Sequence, residues 1–220
     1  MKIILNKRIL KKIINKENNL GFVPTMGSIH KGHISLVKRS MSQCKKTLVS
    51  IFINRPQFNK RSDFIKYPRS LKKDINQLNQ VKIDYLYLPT NKQIYNNKLN
   101  RNIKINKLEK ILCGKFRPGH FRAVVDVIDR FIKIIKPKRI FLGEKDMQQL
   151  KIIEAHIKKN RIKTKVIKCK TIREKNGIPY SSRNFLLTKS EKSIASQIYQ
   201  LILREKKKII NNTKKINHIK

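Results

Sequence analysis

Between Leu20 and Cys169 short apolar runs of strand length alternate with stretches of helical period. Strands that are apolar on both faces, joined by amphipathic crossovers, specify a doubly wound parallel α/β sheet. Strands are expected at residues 20–24, 47–53, 84–88, 139–142 and 165–169, and helices at 34–43, 71–80, 123–135 and 147–159. In the third helix Val124, Val125, Ile128, Phe131, Ile132 and Ile135 recur at helical spacing, a stripe that marks core packing. With 220 residues, 39% of them apolar, the chain can bury one large domain, or one domain with an appendage. In such sheets ligands sit beyond the carboxyl ends of the strands.

The start, MKIILNKRILKKIINKENN, has its apolar runs cut by lysine or arginine every two or three residues, far short of a membrane span. It reads as a strand and first helix packed on the sheet, with a cationic amphipathic surface helix as the alternative. No small-residue cleavage site follows, so Met1 is taken as the mature start. Cys44, Cys113 and Cys169 are odd in number and far apart, without a CxxC pair, which fits a reduced, cytoplasmic protein without a structural metal. The formal charge of +41 raises nucleic-acid binding as a function. Its lysines, however, are spread over nearly every segment beside abundant isoleucine and asparagine, and no zinc finger, basic zipper or RNA-binding aromatic motif is present. No specific nucleic acid is expected.

The segment LGFVPTMGSIHKGHISLV joins a buried strand ending at Pro24, a tight turn using Gly27, and a helix opening near Gly32 with Ile34, Leu36 and Val37 on its apolar side. The free amides and positive dipole end of such a helix suit an anion. His30 and His33 stand beside it and can donate to phosphate oxygens; by spacing alone they could equally be surface residues or two metal ligands. Neither GxGxxG nor GxxxxGK[ST] occurs. The order strand, Met-Gly turn, HxGH, helix resembles the nucleotide-binding signature of the HIGH-type nucleotidylyl transferase superfamily.

The linked segments PTMGSIHKGH, VSIFINRPQF, DFIKYPRSLKKD, LCGKFRPGHF, FLGEKDMQQL and IPYSSRNFLL resemble the pantothenate synthetase family in order and spacing over residues 20–187. The resemblance implies a Rossmann-like sheet, and a ligase that uses ATP with Mg2+ to turn pantoate into an acyl-adenylate and passes it to β-alanine. It implies a homodimer that is not bound to a membrane. It assigns Met26, Gly27, His30 and His33 to ATP, with His33 as the catalytic proton donor. Gly143, Glu144, Lys145 and Asp146, then Ile172, Tyr180, Ser181, Ser182 and Arg183, also go to ATP, with Arg183 on the departing pyrophosphate. Gln57 and Gln149, with Asn54 beside them, go to pantoate and β-alanine; no metal ligand is assigned to the protein.

The sequence departs from the family at several places. Arg55 and Pro56 replace the usual residues between the two amides, Ser62 stands where a glutamate precedes Asp63, Cys113 replaces a glutamate, and Tyr180 replaces methionine or leucine. Residues 1–172 are read as the domain that binds ATP and pantoate. Residues 173–220 are read as the SSRN loop, a helix-like run at 190–210 and a polar end, together a truncated helical remnant of a lid domain expected to cover the cleft poorly. Two further readings stay open on sequence alone: a nucleotidylyl transferase acting on another small acid, and a basic protein binding nucleic acid on a degenerate scaffold.

Overall fold

The structure, a computed structural model, describes residues 1–96, 103 and 105–211. The chain opens with β1 (Lys2–Ile4) and α1 (Lys7–Ile14). Asn6 caps α1 by accepting from the amides of Arg8 and Ile9, and Leu10 and Ile14 are buried, so the basic start is a strand and a packed helix. Next come β2 (Leu20–Thr25), α2 (Lys31–Gln43), β3 (Lys46–Ile51), α3 (Arg61–Lys66), α4 (Leu71–Gln80), β4 (Tyr85–Tyr87) and α5 (Asn91–Tyr95). After them run α6 (Cys113–Phe116), α7 (His120–Ile135), β5 (Arg139–Gly143), α8 (Met147–Lys159), β6 (Lys165–Cys169) and α9 (Lys189–Asn211). The polar tail expected at the end lies, from residue 212 on, outside the described residues.

The six strands form one parallel sheet in the order β1-β4-β3-β2-β5-β6. From β2 the chain winds outward through β3 and β4, then returns to the other side of β2 for β5 and β6. That reversal opens a crevice at the carboxyl ends of β2, β3 and β5.

Period-two alternation sorts the side chains between two helical layers. Phe22, Leu48, Tyr87 and Ile140 face α1, α7 and α8, whereas Val23, Val49, Leu86 and Phe141 face α2 and α4. Phe131 of α7 is the hub of the first layer, its ring 5.4 Å from Phe22, 6.0 Å from Phe52 and 6.3 Å from Tyr87. Each such buried side chain contributes about 1.5–3 kcal/mol by leaving water.

Two strands are shorter than expected: β4 spans only Tyr85–Tyr87, and β3 stops at Ile51, after which Arg55–Gln57 form a single 3-10 turn. Pro56 has no amide hydrogen and a fixed φ, so the ladder cannot continue through it. Asn54 and Gln57 therefore ride on a turn beyond the strand. Two helices begin earlier than apolar spacing indicates, α2 at Lys31 and α7 at His120, each with a histidine of its opening turn, His33 or His120, on the crevice.

Candidate active site

The turn between β2 and α2 is held from below. Gly27 (φ 80°) and Ser28 (φ 51°) adopt left-handed backbone, and a Cβ on Gly27 would stand 2.9 Å from Asp74 Oδ2 and 3.1 Å from Ile51 Cγ2. Asp74 of α4, 1% exposed, accepts from the amides of Ser28 and Ile29, both at 2.8 Å, and from the Ser70 hydroxyl at 3.2 Å. Thr25 Oγ1 donates to Ser50 O at 2.8 Å and accepts from the Gly27 amide at 3.2 Å. The helix that follows has no side-chain cap, and its first backbone bond runs from Ile34 N to His30 O. The amides of its first turn are thus left to an anion.

His30 and His33 stack on one another with ring centroids 3.9 Å apart, and the ring of Tyr180 lies 6.1 Å from His30. Gly32 permits this: a Cβ there would meet the His30 ring at 2.9 Å and Tyr180 at 3.4 Å. The Nδ1 atoms of both histidines are buried and have no partner among the described residues. Burial, then Lys145, lowers the His30 pKa to about 4. Burial, then His30 and Lys145, lowers that of His33 to about 3. Both rings are neutral at pH 7. A third metal ligand does not join them, and no group of three or more His, Cys, Asp or Glu suited to a metal occurs among the described residues.

The 3-10 turn after β3 presents the amides. Asn54, 1% exposed, donates to Gln57 Oε1 at 2.9 Å and Ala123 O at 3.3 Å, while its oxygen accepts from the Tyr95 hydroxyl. Gln57 Nε2 donates to Met26 Sδ at 3.0 Å. His120 opens α7 with Nδ1 2.7 Å from Gln57 O; a carbonyl only accepts, so the proton is on Nδ1 and Nε2 is left as an acceptor. Burial pushes the His120 pKa down, which keeps the ring neutral.

At the end of β5, Glu144–Asp146 form a 3-10 turn and α8 starts at Met147, a second helix start whose N-cap side chain accepts no backbone amide of the helix. Lys145 Nζ lies 3.1 Å from Asp146 Oδ1. The adjacent glutamines of α8 separate by helical period. Gln148 is fully used, donating to Leu108 O and Ile111 O at 2.7 Å and accepting from Cys113 N at 3.1 Å. Gln149 has no hydrogen-bond partner among the described residues and lines the cleft.

The SSRN segment closes the far wall. Ser182, 5% exposed, donates to Ser28 O at 3.2 Å and so ties this segment to the first turn. Ser181 Oγ accepts from Arg183 N at 3.3 Å. Arg183 pairs bidentately with Asp63, at 3.1 and 2.8 Å, over the rings of Phe58 and Tyr67. Ile172 and Tyr180 lie side by side through Tyr180 N and Ile172 O, 3.0 Å apart.

One cleft is lined by Met26, His30, His33, Asn54, Gln57, Gly143, Lys145, Asp146, Gln149, Ile172, Tyr180, Ser181, Ser182 and Arg183. Gly27 and Glu144 fall outside its lining, Gly27 because it sits beneath the turn against Asp74. Tyr67, Arg117, His120 and Lys170 line the same cleft and were not expected there. Arg117 and His120 lie within the RPGHF stretch, and a half-apolar setting for an Arg and a His after Gly-Lys-Phe was the available signal.

The chain matches the sequence profile of the pantoate–β-alanine ligase family over residues 2–220. It belongs to that family. Pantothenate synthetase of Thermosipho africanus is 36% identical over 97% of this chain and 77% of its own length. That of Francisella philomiragia is 41% identical over 90% and 76%. The solved pantoate–β-alanine ligase of Francisella tularensis, a complex with an ATP compound and β-alanine, superimposes with a TM-score of 0.87 at 42% identity, covering 93% of this chain and 79% of that one. The Thermus thermophilus pantothenate synthetase gives a TM-score of 0.88 at 31% identity, covering 92% and 74%. The ligase chain thus shares their fold over most of its length.

Proposed function

We propose that this cleft joins pantoate to β-alanine in two steps, through pantoyl-adenylate, with ATP converted to AMP and pyrophosphate. The observation that carries the reading is the convergence of two uncapped helix starts, α2 and α8, with Lys145 and Arg183 on one cleft that Gln57 and Gln149 also face. The helix starts and the two cations suit a triphosphate, and amides that both donate and accept suit a hydroxy acid. Charge grows on the nonbridging α-phosphate oxygens as the carboxylate attacks, and donors fixed beforehand stabilise it. His33 is such a donor; a bound triphosphate raises the pKa of the neighbouring imidazoles toward the protonated form. Asn54 acts through Gln57, and Ser182 through the turn it ties.

Asp146, the one carboxylate among the described residues of the lining, is paired with Lys145, and Asp63 with Arg183, so these side chains do not form a cage for magnesium. In this reading Mg2+ enters on the triphosphate with phosphate and water as its ligands. Residues 1–172 then form the unit that binds ATP and pantoate, and the segment from 173 supplies the SSRN wall. A cytoplasmic homodimer belongs to the same reading and rests on the family resemblance, with free thiols at Cys44, Cys113 and Cys169 in keeping with a reducing compartment. Among the described residues no helix is long and apolar enough to cross a membrane.

The test is pyrophosphate release from ATP with and without pantoate, followed by product analysis after β-alanine is added. Release that depends on pantoate, and pantothenate formed with AMP, are expected. Release independent of pantoate, or promoted equally by unrelated small acids, would overturn the reading in favour of a broader nucleotidylyl transferase.

A further inference from the structure

Arg117 is a half-buried cation on the cleft wall with no protein acceptor. Lys145 is paired with Asp146 and Arg183 with Asp63, whereas the Arg117 guanidinium has no hydrogen-bond or ion-pair partner among the described residues. Lys170, also unpaired in the lining, is exposed and solvated. Asp63 and Asp146 lie within electrostatic reach of Arg117, but each is bonded to another cation, so the half-buried guanidinium keeps its hydrogen bonds unmade, and such groups are found where a ligand supplies the acceptor.

The loop that carries Arg117 is fixed to the turn that presents Gln57. Its Pro118 carbonyl accepts from Asn59 Nδ2 at 2.8 Å, its Arg117 carbonyl from the His120 amide at 3.1 Å, and His120 in turn donates to Gln57 O at 2.7 Å. The charges of the proposed substrates then narrow the ligand. The triphosphate is met by Lys145, Arg183 and two helix starts, and the carboxylate of pantoate loses its charge when it becomes the mixed anhydride. The carboxylate of β-alanine keeps its charge from binding to product, and among the lining cations only Arg117 and the solvated Lys170 are left to meet it. A guanidinium fits a carboxylate with two parallel hydrogen bonds.

Resting on the ligase reading above, we infer that Arg117 binds the carboxylate of the incoming ω-amino acid and sets the enzyme's requirement for that class of nucleophile. The amine end, two methylenes away, attacks the acyl carbon, AMP leaves with the bond electrons, and the amine's proton is released; Arg117 takes no part in that transfer.

The experiment separates the two half-reactions in the full chain. Pantoate-dependent exchange of labelled pyrophosphate into ATP reports adenylation alone, and pantothenate formation reports both steps. In Arg117→Ala, exchange is expected within about threefold of wild type while the KM for β-alanine rises by about ten- to a hundredfold, the range for losing a charged hydrogen bond. β-Alaninamide, which lacks the carboxylate, is the control nucleophile. Wild type prefers β-alanine to the amide strongly, the Ala variant is expected to lose most of that preference, and Arg117→Lys to regain part of it. Loss of exchange by a folded variant would reassign Arg117 to the phosphates and overturn the inference, as would an unchanged preference between the two amines. If Arg117→Ala does not fold, the preference ratio is read from Arg117→Gln under the same criteria. Absence of pantoate-dependent exchange in wild type would instead refute the ligase reading itself.

Discussion

His33 meets the cleft as a neutral ring with a buried, unpartnered Nδ1, poised to interact with whatever oxygen arrives. His33→Ala is expected to lower pantoate-dependent pyrophosphate release by about 10² to 10³, the usual loss for one preorganised donor, with its circular dichroism unchanged. Near wild-type release from a folded variant would remove His33 from the chemistry. The same pair governs acid stability. Their folded pKa values, about 4 for His30 and about 3 for His33, lie below the ordinary histidine value of 6.5, so the unfolded chain binds more protons between those limits. Stability is therefore present above pH 6.5 and lost as pH falls toward the folded values. A His30→Gln/His33→Gln chain is expected to lose less of its thermal midpoint between pH 6.5 and 4.5 than wild type, and an equal loss would refute the buried, neutral assignment. Single side chains were the part of the candidate site most dependent on context: type and spacing selected His30 and His33, whereas His120 joined the cleft only when a turn far earlier in the chain, at Gln57, was brought against it, with Arg117 on the same loop.

Among the elements, α4 has the least obvious duty, since it touches no ligand surface yet fixes the turn that does. Asp74 and Leu78 are four residues apart and both buried, so a carboxylate stands on the helix's apolar stripe, a signal present in LKKDINQL that apolar counting passes over. Asp74→Ala strands two buried amides and is expected to cost about 2–4 kcal/mol in denaturant unfolding while raising the KM for ATP more than that for pantoate. Equal rises in both would mean that the turn is not its specific charge. The strands and long helices were legible because each buries a face and repeats with the right period; β5, β6 and α8 fall within a residue of expectation. What stayed hidden was non-local or short. Nothing in the sequence says that β1 pairs with β4 at the sheet edge, and α3, α5 and α6 span too few turns to show a period.

For the molecule as a whole, 54 basic against 13 acidic side chains create a dispersed repulsion that salt screens. Its thermal midpoint is expected to rise between 20 and 300 mM NaCl, and its retention on single- and double-stranded DNA to be weak, blind to sequence and abolished over about the same range. Tight binding to one sequence at 150 mM salt would make the charge a recognition surface. The parallel sheet has a further consequence, because every cleft residue on the strand connections lies at one rim. The opposite rim, where residues 160–163 lead into β6, belongs to none of the cleft lining and is largely exposed. That rim is a place to build on: a ten-residue glycine-serine insert after Arg161 should leave kcat/KM within twofold and cost about 1 kcal/mol, since loop length is entropically cheap. The same insert after Lys145 should silence the enzyme. A sensor domain or second catalyst could be spliced in at the quiet rim, leaving the chemistry on the other side undisturbed.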